Sequence, residues 1–145
     1  MAPVAAVCIL LGIASPADAS YNTISATSGW QTVDNVTAGQ TVDISASGSW
    51  TVDSSRDNEL GGRVGPSGYS WGTDAIIGFQ GLCHVIESGS YGTLIGQIGN
   101  GPVFLVESSA NFGAQDSGPL KLRINDADAC LGDNAGSVNV SVSIT

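Results

Sequence analysis

The sequence predicts an all-β domain, an antiparallel β-sandwich, from three observations. Where the hydropathy pattern is regular its period is two, as in half-buried strands. Glycines among the 20 of the chain lie between these runs, at 48, 61–62, 99–101 and 113–118, where they mark turns. No stretch of ten residues has apolar side chains at helical spacing. Short strands separated by Gly and Asn turns are typical of a sandwich or a barrel.

The strands differ in the strength of their patterns. The segment from Ser137 to Ile144 alternates without a fault and predicts the clearest strand, and Gln40 to Trp50 repeats the pattern. Further strands are predicted by alternation at 94–98 and 120–124, and by a continuous apolar run at 103–106, which suits a more buried strand. In the 120–124 strand, the alternation places Lys121 and Arg123 on the solvent side.

Length and charge limit what the domain can bind. A chain of 145 residues is expected to form one domain and to bury about 68–70% of its unfolded surface. A core of this size does not require disulfides or a structural metal for folding. With 4 Lys and Arg against 13 Asp and Glu, the formal net charge is −9. Duplex nucleic acid and anionic membranes are therefore not expected partners, because both are bound mainly through cationic side chains. An acidic surface can instead hold a metal ion.

Residues 1–19 are predicted to be a secretory signal peptide, which makes 20–145 the single mature domain and the protein secreted. An apolar run from Val4 to Ile13 is broken at Pro16, and Ala17-Asp18-Ala19 has the form of a cleavage site. The run is shorter than the roughly 20 residues of a spanning helix, so membrane insertion is not expected.

Removal of the predicted signal peptide takes away Cys8 and leaves Cys83 and Cys130. Two cysteines in an exported domain predict one disulfide between them. The alternative is that Cys83 is a thiol nucleophile beside His84. That alternative is disfavoured because neighbouring side chains in a strand point to opposite faces.

The sequence lacks the usual catalytic motifs. His84 is the single histidine, and the chain has no Gly-x-Ser-x-Gly, His-Glu-x-x-His, Walker or Gly-x-Gly-x-x-Gly pattern. A glycosidase needs only two suitably spaced carboxylates, so a small glycan hydrolase stays open as a minor alternative. The inventory favours binding over catalysis.

The candidate binding site is the acidic segment 125–136. Asp126, Asp128 and Asp133 lie in it with two Asn residues, between one predicted strand and the next. Calcium takes six to eight oxygen ligands, which such a loop can supply, although the spacing is not that of an EF-hand. The alternative is that Asx residues simply favour turns. The irregular region 53–80 is longer than most loops and could form a wall of the site.

Several motifs occur in the order of a known family. They are Trp30, the strand 39–50 ending in Ala-Ser-Gly-Ser-Trp, Gly65-Pro66, Gln80-Gly81-Leu82, the Leu-Ile-Gly-Gln-Ile-Gly run at 94–99, Asn125-Asp126, Gly132-Asp133-Asn134 and Gly136-Ser137. With them the sequence resembles, from about residue 30 to 145, the PA-I type galactophilic lectins of bacteria. These are small calcium-dependent β-sandwich proteins. The resemblance implies a jelly-roll or galactose-binding-like lectin domain.

The resemblance also implies a metal site. Asp126, Asp133 and Asn134 match positions that bind Ca²⁺ through side chains, and Cys130 and Asp53 match positions that bind it through backbone carbonyls. Two sugar hydroxyls complete the coordination shell in the family. Asp133 stands where the family has Asn, and the added negative charge should raise affinity for the cation. Cys130 replaces a Thr, so a bridge to Cys83 would stiffen the metal loop.

The sugar contacts implied by the resemblance are Gln80 and the oxygens of Asp126 and Asn134, which accept hydroxyl protons. The family has a His near the position of Ile77, and its absence leaves the galactose preference open. Phe79, directly before Gln80, either stacks on a sugar face or anchors the loop.

The expectation is therefore a secreted lectin that binds sugar hydroxyls through Ca²⁺, from galactose or another glycan. Members of the family form oligomers, so the resemblance allows a homo-oligomer, but the motifs identify neither the number of subunits nor the interface residues. The alternative is an extracellular structural or assembly subunit, in which calcium only stabilises the sandwich or is absent.

Overall fold

The computed structural model describes residues 18–78 and 82–145, and within these ranges the chain forms a β-sandwich. Its strands are β1 (Ser20–Ser25), β2 (Gln31–Val36), β3 (Thr41–Thr51), β4 (Leu94–Ile98), β5 (Phe104–Leu105), β6 (Ser109–Gly113), β7 (Gly118–Ile124) and β8 (Ala135–Ile144). One short helix, α1 (Trp71–Ile77), and 3₁₀ turns at Ser54–Arg56 and Asp128–Asp133 lie in the connections. The predicted all-β sandwich is confirmed.

The predicted signal peptide, 1–19, lies outside the described residues except for its last two positions. Among the residues described, none of the helices combines the length and the apolar character needed to cross a membrane.

The strands form two antiparallel sheets with the orders β1-β8-β3-β6 and β2-β7-β4-β5. The long pairing of β3 with β8 runs from Val42 opposite Ile144 to Thr51 opposite Ala135. In the other sheet, β7 pairs with both β2 and β4. The β7–β8 connection therefore crosses from one sheet to the other at the end of the sandwich, and this connection is the acidic segment.

The core forms where the alternating apolar side chains of the two sheets meet. Its fully buried members include Val42, Ile44 and Trp50 of β3, Val138, Val140 and Val142 of β8, Leu120, Leu122 and Ile124 of β7, and Leu94 of β4. The indole of Trp50 is anchored, since its Nε1 donates a hydrogen bond to the Gly92 carbonyl at 2.7 Å. The sequence pattern of period two thus gives the two facing layers directly.

Two strand expectations were wrong in part. Arg123 is predicted to face solvent but is only 3% exposed. Asp128 of the acidic segment and the ring of Trp30 cover its side chain. The apolar run 103–106 forms only the two-residue strand β5, which is half-buried at the edge of its sheet. Hydropathy alone does not distinguish an edge strand from a central one.

Candidate functional site

The acidic loop, defined here as residues 125–134, closes one end of the sandwich between β7 and β8. It packs against the segment that follows β3 and against the segment around Cys83 and Tyr91, and a cavity of about 360 Å³ lies between them. Asp53, Asp126, Cys130 and Asp133 all line this cavity. The fold thus brings together four of the predicted metal ligands, although Asp53 is more than 70 residues from the others in sequence.

Two side-chain oxygens in the acidic loop are buried without a donor. Asp126 is 2% exposed and Asn134 is 6% exposed. Within the described ranges, neither Oδ2 of Asp126 nor Oδ1 of Asn134 accepts a hydrogen bond. Nδ2 of Asn134 donates to the carbonyl of Ala26 at 2.8 Å, which determines which end of the amide is left unpaired. Buried acceptors without donors are costly, and a cation is one kind of partner that can satisfy such oxygens.

The electrostatics of the cavity disfavour its own negative charges. The pKa of Asp126 is raised to about 7, mainly by burial. The Asn134 side chain lowers this pKa by a smaller amount, and the charge of Asp133 raises it. Burial, and then the charge of Asp53, also raise the pKa of Asp133. Arg56 lines the cavity too, but its guanidinium is held by Glu59 through bonds of 2.8 and 3.1 Å. The charged forms of Asp126 and Asp133 are therefore unfavourable in the folded protein, and a bound cation would stabilise them.

The side chain of Asp53 has a local role. Its Oδ1 accepts hydrogen bonds from the backbone N–H of Ser55 at 3.1 Å and from the Ser55 hydroxyl, and so caps the 3₁₀ turn Ser54–Arg56. The carbonyl of Asp53 accepts from the Arg56 N–H at 3.1 Å and keeps one lone pair. A contribution of Asp53 through its carbonyl, as the resemblance implies, is compatible with this arrangement.

The predicted disulfide is confirmed: Cys83 and Cys130 are bonded, with their Cα atoms 6.1 Å apart. A second link lies beside it, because the N–H of Ala127 donates to the carbonyl of Cys83 at 2.7 Å. A carboxylate oxygen of Asp126 lies within 4.8 Å of both sulfur atoms. Since these sulfurs are bonded to each other, they are not thiolate ligands, and the oxygens remain the candidate donors.

Replacing both cysteines by serine should destabilise the protein by about 2–4 kcal/mol, because the bridge constrains an unfolded loop between residues 47 positions apart. Urea unfolding of Cys83→Ser/Cys130→Ser would measure the loss. The matched control is wild-type protein with reductant, which should unfold like the variant. Unchanged unfolding of the double variant would contradict a stabilising bridge.

The opposite wall of the cavity comes from α1 and the segment leading to Tyr91. Ile77, the position where the resemblance places a His, lines the cavity with an apolar side chain. The buried carboxylate of Asp74 accepts from the Tyr91 N–H and contacts Nε2 of His84 at 2.9 Å. The ring of His84 stacks on that of Tyr91, with the ring centroids 4.0 Å apart, so His84 supports this wall of the cavity.

The predicted sugar contacts Gln80 and Phe79 lie outside the described residues. Sequence reasoning missed the buried Arg123, whose guanidinium forms an ion pair with Asp128 at 2.7 Å. It also missed the bond from Asn134 to Ala26. Neither has a local signal, because each depends on segments that are distant in sequence or on a face whose covering the pattern does not show.

No family model and no curated protein matches this sequence. A solved structure described as "EclA N-terminal domain; PllA-like lectin" superposes with a TM-score of 0.64 and 20% sequence identity. The match covers 87% of this chain and 96% of that chain. At this identity the likeness establishes that the two chains share a β-sandwich fold.

Proposed function

We propose that the protein is an exported carbohydrate-binding protein, a lectin, that holds sugar hydroxyls through one calcium ion. The observation that carries this proposal is the pair of buried oxygens without donors in the acidic loop, Oδ2 of Asp126, which lines the cavity, and Oδ1 of Asn134. The description of the solved neighbour as a lectin supports the same function. The disulfide supports export, since such bonds persist in oxidising compartments.

The residues present fit calcium. The candidate side-chain donors, Asp126, Asp133 and Asn134, are all oxygen donors, as this hard cation prefers. The carbonyls of Cys130 and Asp53 would add backbone oxygens. Nitrogen and thiolate ligands are missing from the set: the nearby sulfurs form a disulfide and His84 is engaged with Asp74. Zinc or copper would be a poorer match.

A bound calcium ion would supply positive charge to the carboxylates and coordination positions that neutral hydroxyls can fill. The oxygens of Asp126 and Asn134 would then accept the hydroxyl protons of the sugar, and Gln80 would make a further contact. No proton has to be transferred for binding, so this mechanism needs no general base.

The direct test is binding to an array of galactose-terminated and other neutral glycans, with calcium and then with chelator. We expect binding that chelator abolishes. The matched control is Asp43→Asn, which removes an exposed carboxylate from β3, away from the cavity, and should bind like wild type.

Calcium-dependent melting with no glycan bound would overturn the lectin proposal and favour a structural subunit. Released reducing sugar would instead show a hydrolase. Glycan binding that persists in chelator would contradict the role of calcium but not the proposal that the protein is a lectin.

A further inference from the structure

Arg123 is the most heavily engaged cation among the described residues. Its side chain is 4% exposed, and all three guanidinium nitrogens are bonded. Nε donates to the carbonyl of Ile124 at 3.2 Å, Nη2 to the carbonyl of Asp126 at 2.6 Å, and Nη1 to Oδ1 of Asp128 at 2.7 Å. The rigid planar fork of an arginine is what allows one side chain to fix three acceptors.

These bonds separate the roles of the acidic residues. Arg123 takes up the carboxylate of Asp128, whose side chain is 82% exposed, but it binds Asp126 through the backbone carbonyl. The carboxylate of Asp126 is thereby left free of the arginine, with Oδ2 buried and without a donor. Arg123 thus fixes the position of Asp126 and does not occupy the group that a cation would need.

A single turn, residues 26–30, supports both ends of the acidic loop. At the first end, the Arg123 guanidinium lies 5.5 Å from the centre of the Trp30 ring. A Cβ atom on Gly29 would lie 3.1 Å from Oδ1 of Asp128 and 3.3 Å from Nη1 of Arg123, so the turn packs directly on this ion pair. At the second end, Asn134 donates to the carbonyl of Ala26.

The turn is itself held in shape. The side chain of Gln31 accepts from the N–H of Ser25 at 2.9 Å and donates to the carbonyls of Ser25 and Gly29 at 3.1 Å each. Because the turn is fixed, it gives the acidic loop two fixed anchors, one at the Arg123–Asp128 pair and the other at Asn134. Asp126 is bonded at the first anchor through its carbonyl, and Asn134 at the second through Nδ2.

We propose that Arg123 is a positioning residue, which with the 26–30 turn holds the acidic loop in the form that accepts a cation. This inference rests on the proposed function of the loop. It differs from a general contribution to stability, because it assigns the effect of Arg123 to the loop and to cation affinity. Partners of this kind, one step removed from the metal, alter affinity by about 10- to 100-fold when changed.

The test compares Arg123→Lys with Lys121→Met. Lysine keeps the charge of Arg123 but not the fork. Lys121 is the matched control, since it lies two residues earlier on β7 and over the same Trp30 ring, at 5.8 Å. Two quantities are measured: calcium affinity by calorimetry, and amide hydrogen exchange of the metal-free protein in chelator, in the acidic loop and in the β3–β8 core.

We expect Arg123→Lys to lower calcium affinity by about 10- to 100-fold and to speed exchange in the loop far more than in the core. Lys121→Met should change neither. Asp128→Asn, an exposed change that weakens the ion pair but keeps the bond to the Asp126 carbonyl, should act in the same direction and less strongly. It serves as the second variant if Arg123→Lys does not fold.

Equal acceleration of loop and core exchange, with calcium affinity unchanged, would overturn the proposal and leave Arg123 as a stabilising residue only. If wild-type protein binds no calcium, the proposed function fails, and with it the part of this inference that concerns the cation. The exchange measurement needs no metal, so it still decides whether Arg123 holds the loop.

Discussion

Replacing Asp126 by Asn is expected to abolish calcium-dependent glycan binding, with a loss of at least about 100-fold in calcium affinity. The change keeps the size of the side chain and removes a carboxylate that lines the cavity and is 2% exposed. Calcium affinity depends on the number of charged ligands, so loss of this charge removes the largest favourable contribution of the loop. Calorimetry with calcium, and glycan binding in calcium, measure the two effects.

The same variant should be more stable than wild type when both are metal-free. Because burial raises the pKa of Asp126 to about 7 from 3.8, the folded state binds this proton more tightly than the unfolded state. The resulting stability is present below pH 3.8 and is lost as pH rises to about 7. At 1.36 kcal/mol per pKa unit, Asp126→Asn should gain roughly 4 kcal/mol on wild type between about pH 3.5 and about pH 8.

Urea unfolding in chelator across this pH range measures the gain. Asp43→Asn, at an exposed position, is the control and should show no such trend. A stability difference between Asp126→Asn and wild type that does not vary with pH would contradict the assignment of a charge penalty to Asp126. Calcium should reverse the order of stability, because it binds only wild type tightly.

The second large effect is expected at Asn125, whose replacement by Ala should destabilise the fold by roughly 3–6 kcal/mol. Asn125 is completely buried. Its Oδ1 accepts from the N–H groups of Val85 and Ile86 at 2.9 and 3.1 Å. Its Nδ2 donates to the carbonyls of Ile86, Gly89 and Ser90 at 3.1, 2.9 and 3.1 Å. Alanine leaves five backbone groups without this partner.

Urea unfolding of Asn125→Ala measures the loss. Asn139→Ala is the matched control, because Asn139 is exposed on β8 and its side-chain oxygen accepts one exposed hydrogen bond, from the Thr23 hydroxyl at 3.3 Å. It should cost less than about 1 kcal/mol. Asn125→Asp should remain destabilised, since a carboxylate has no N–H to donate to the three carbonyls that share the two amide hydrogens of Asn125. Near-wild-type stability of Asn125→Ala would show that the 85–90 segment does not depend on this side chain.

The Asn125-Asp126 pair can be recognised in the sequence, but the sequence does not show that its two residues have different roles. Asn125-Asp126 is one of the pairs through which the chain resembles a lectin family. In the structure, the side chain of Asn125 binds the segment before Tyr91, through Gly89 among others, whereas Asp126 lines the cavity. Which neighbour of a pair faces the site depends on the path of the chain beyond the strand end, which the pattern does not encode.

The local sequence determined the sandwich, since alternation of period two with Gly-rich breaks is a property of neighbouring residues. It also determined that acidic and amide side chains cluster between β7 and β8, and it predicted the Cys83–Cys130 bond that the structure contains. Only the tertiary structure decided which of those side chains are left unsatisfied. Asp128 forms an ion pair with Arg123, and the side-chain nitrogen of Asn134 donates a hydrogen bond to the carbonyl of Ala26. Asp53 lines the cavity although it comes from a distant part of the chain. These outcomes depend on burial and on contacts between distant segments, because a group is short of a partner only once the fold has excluded water and placed its neighbours.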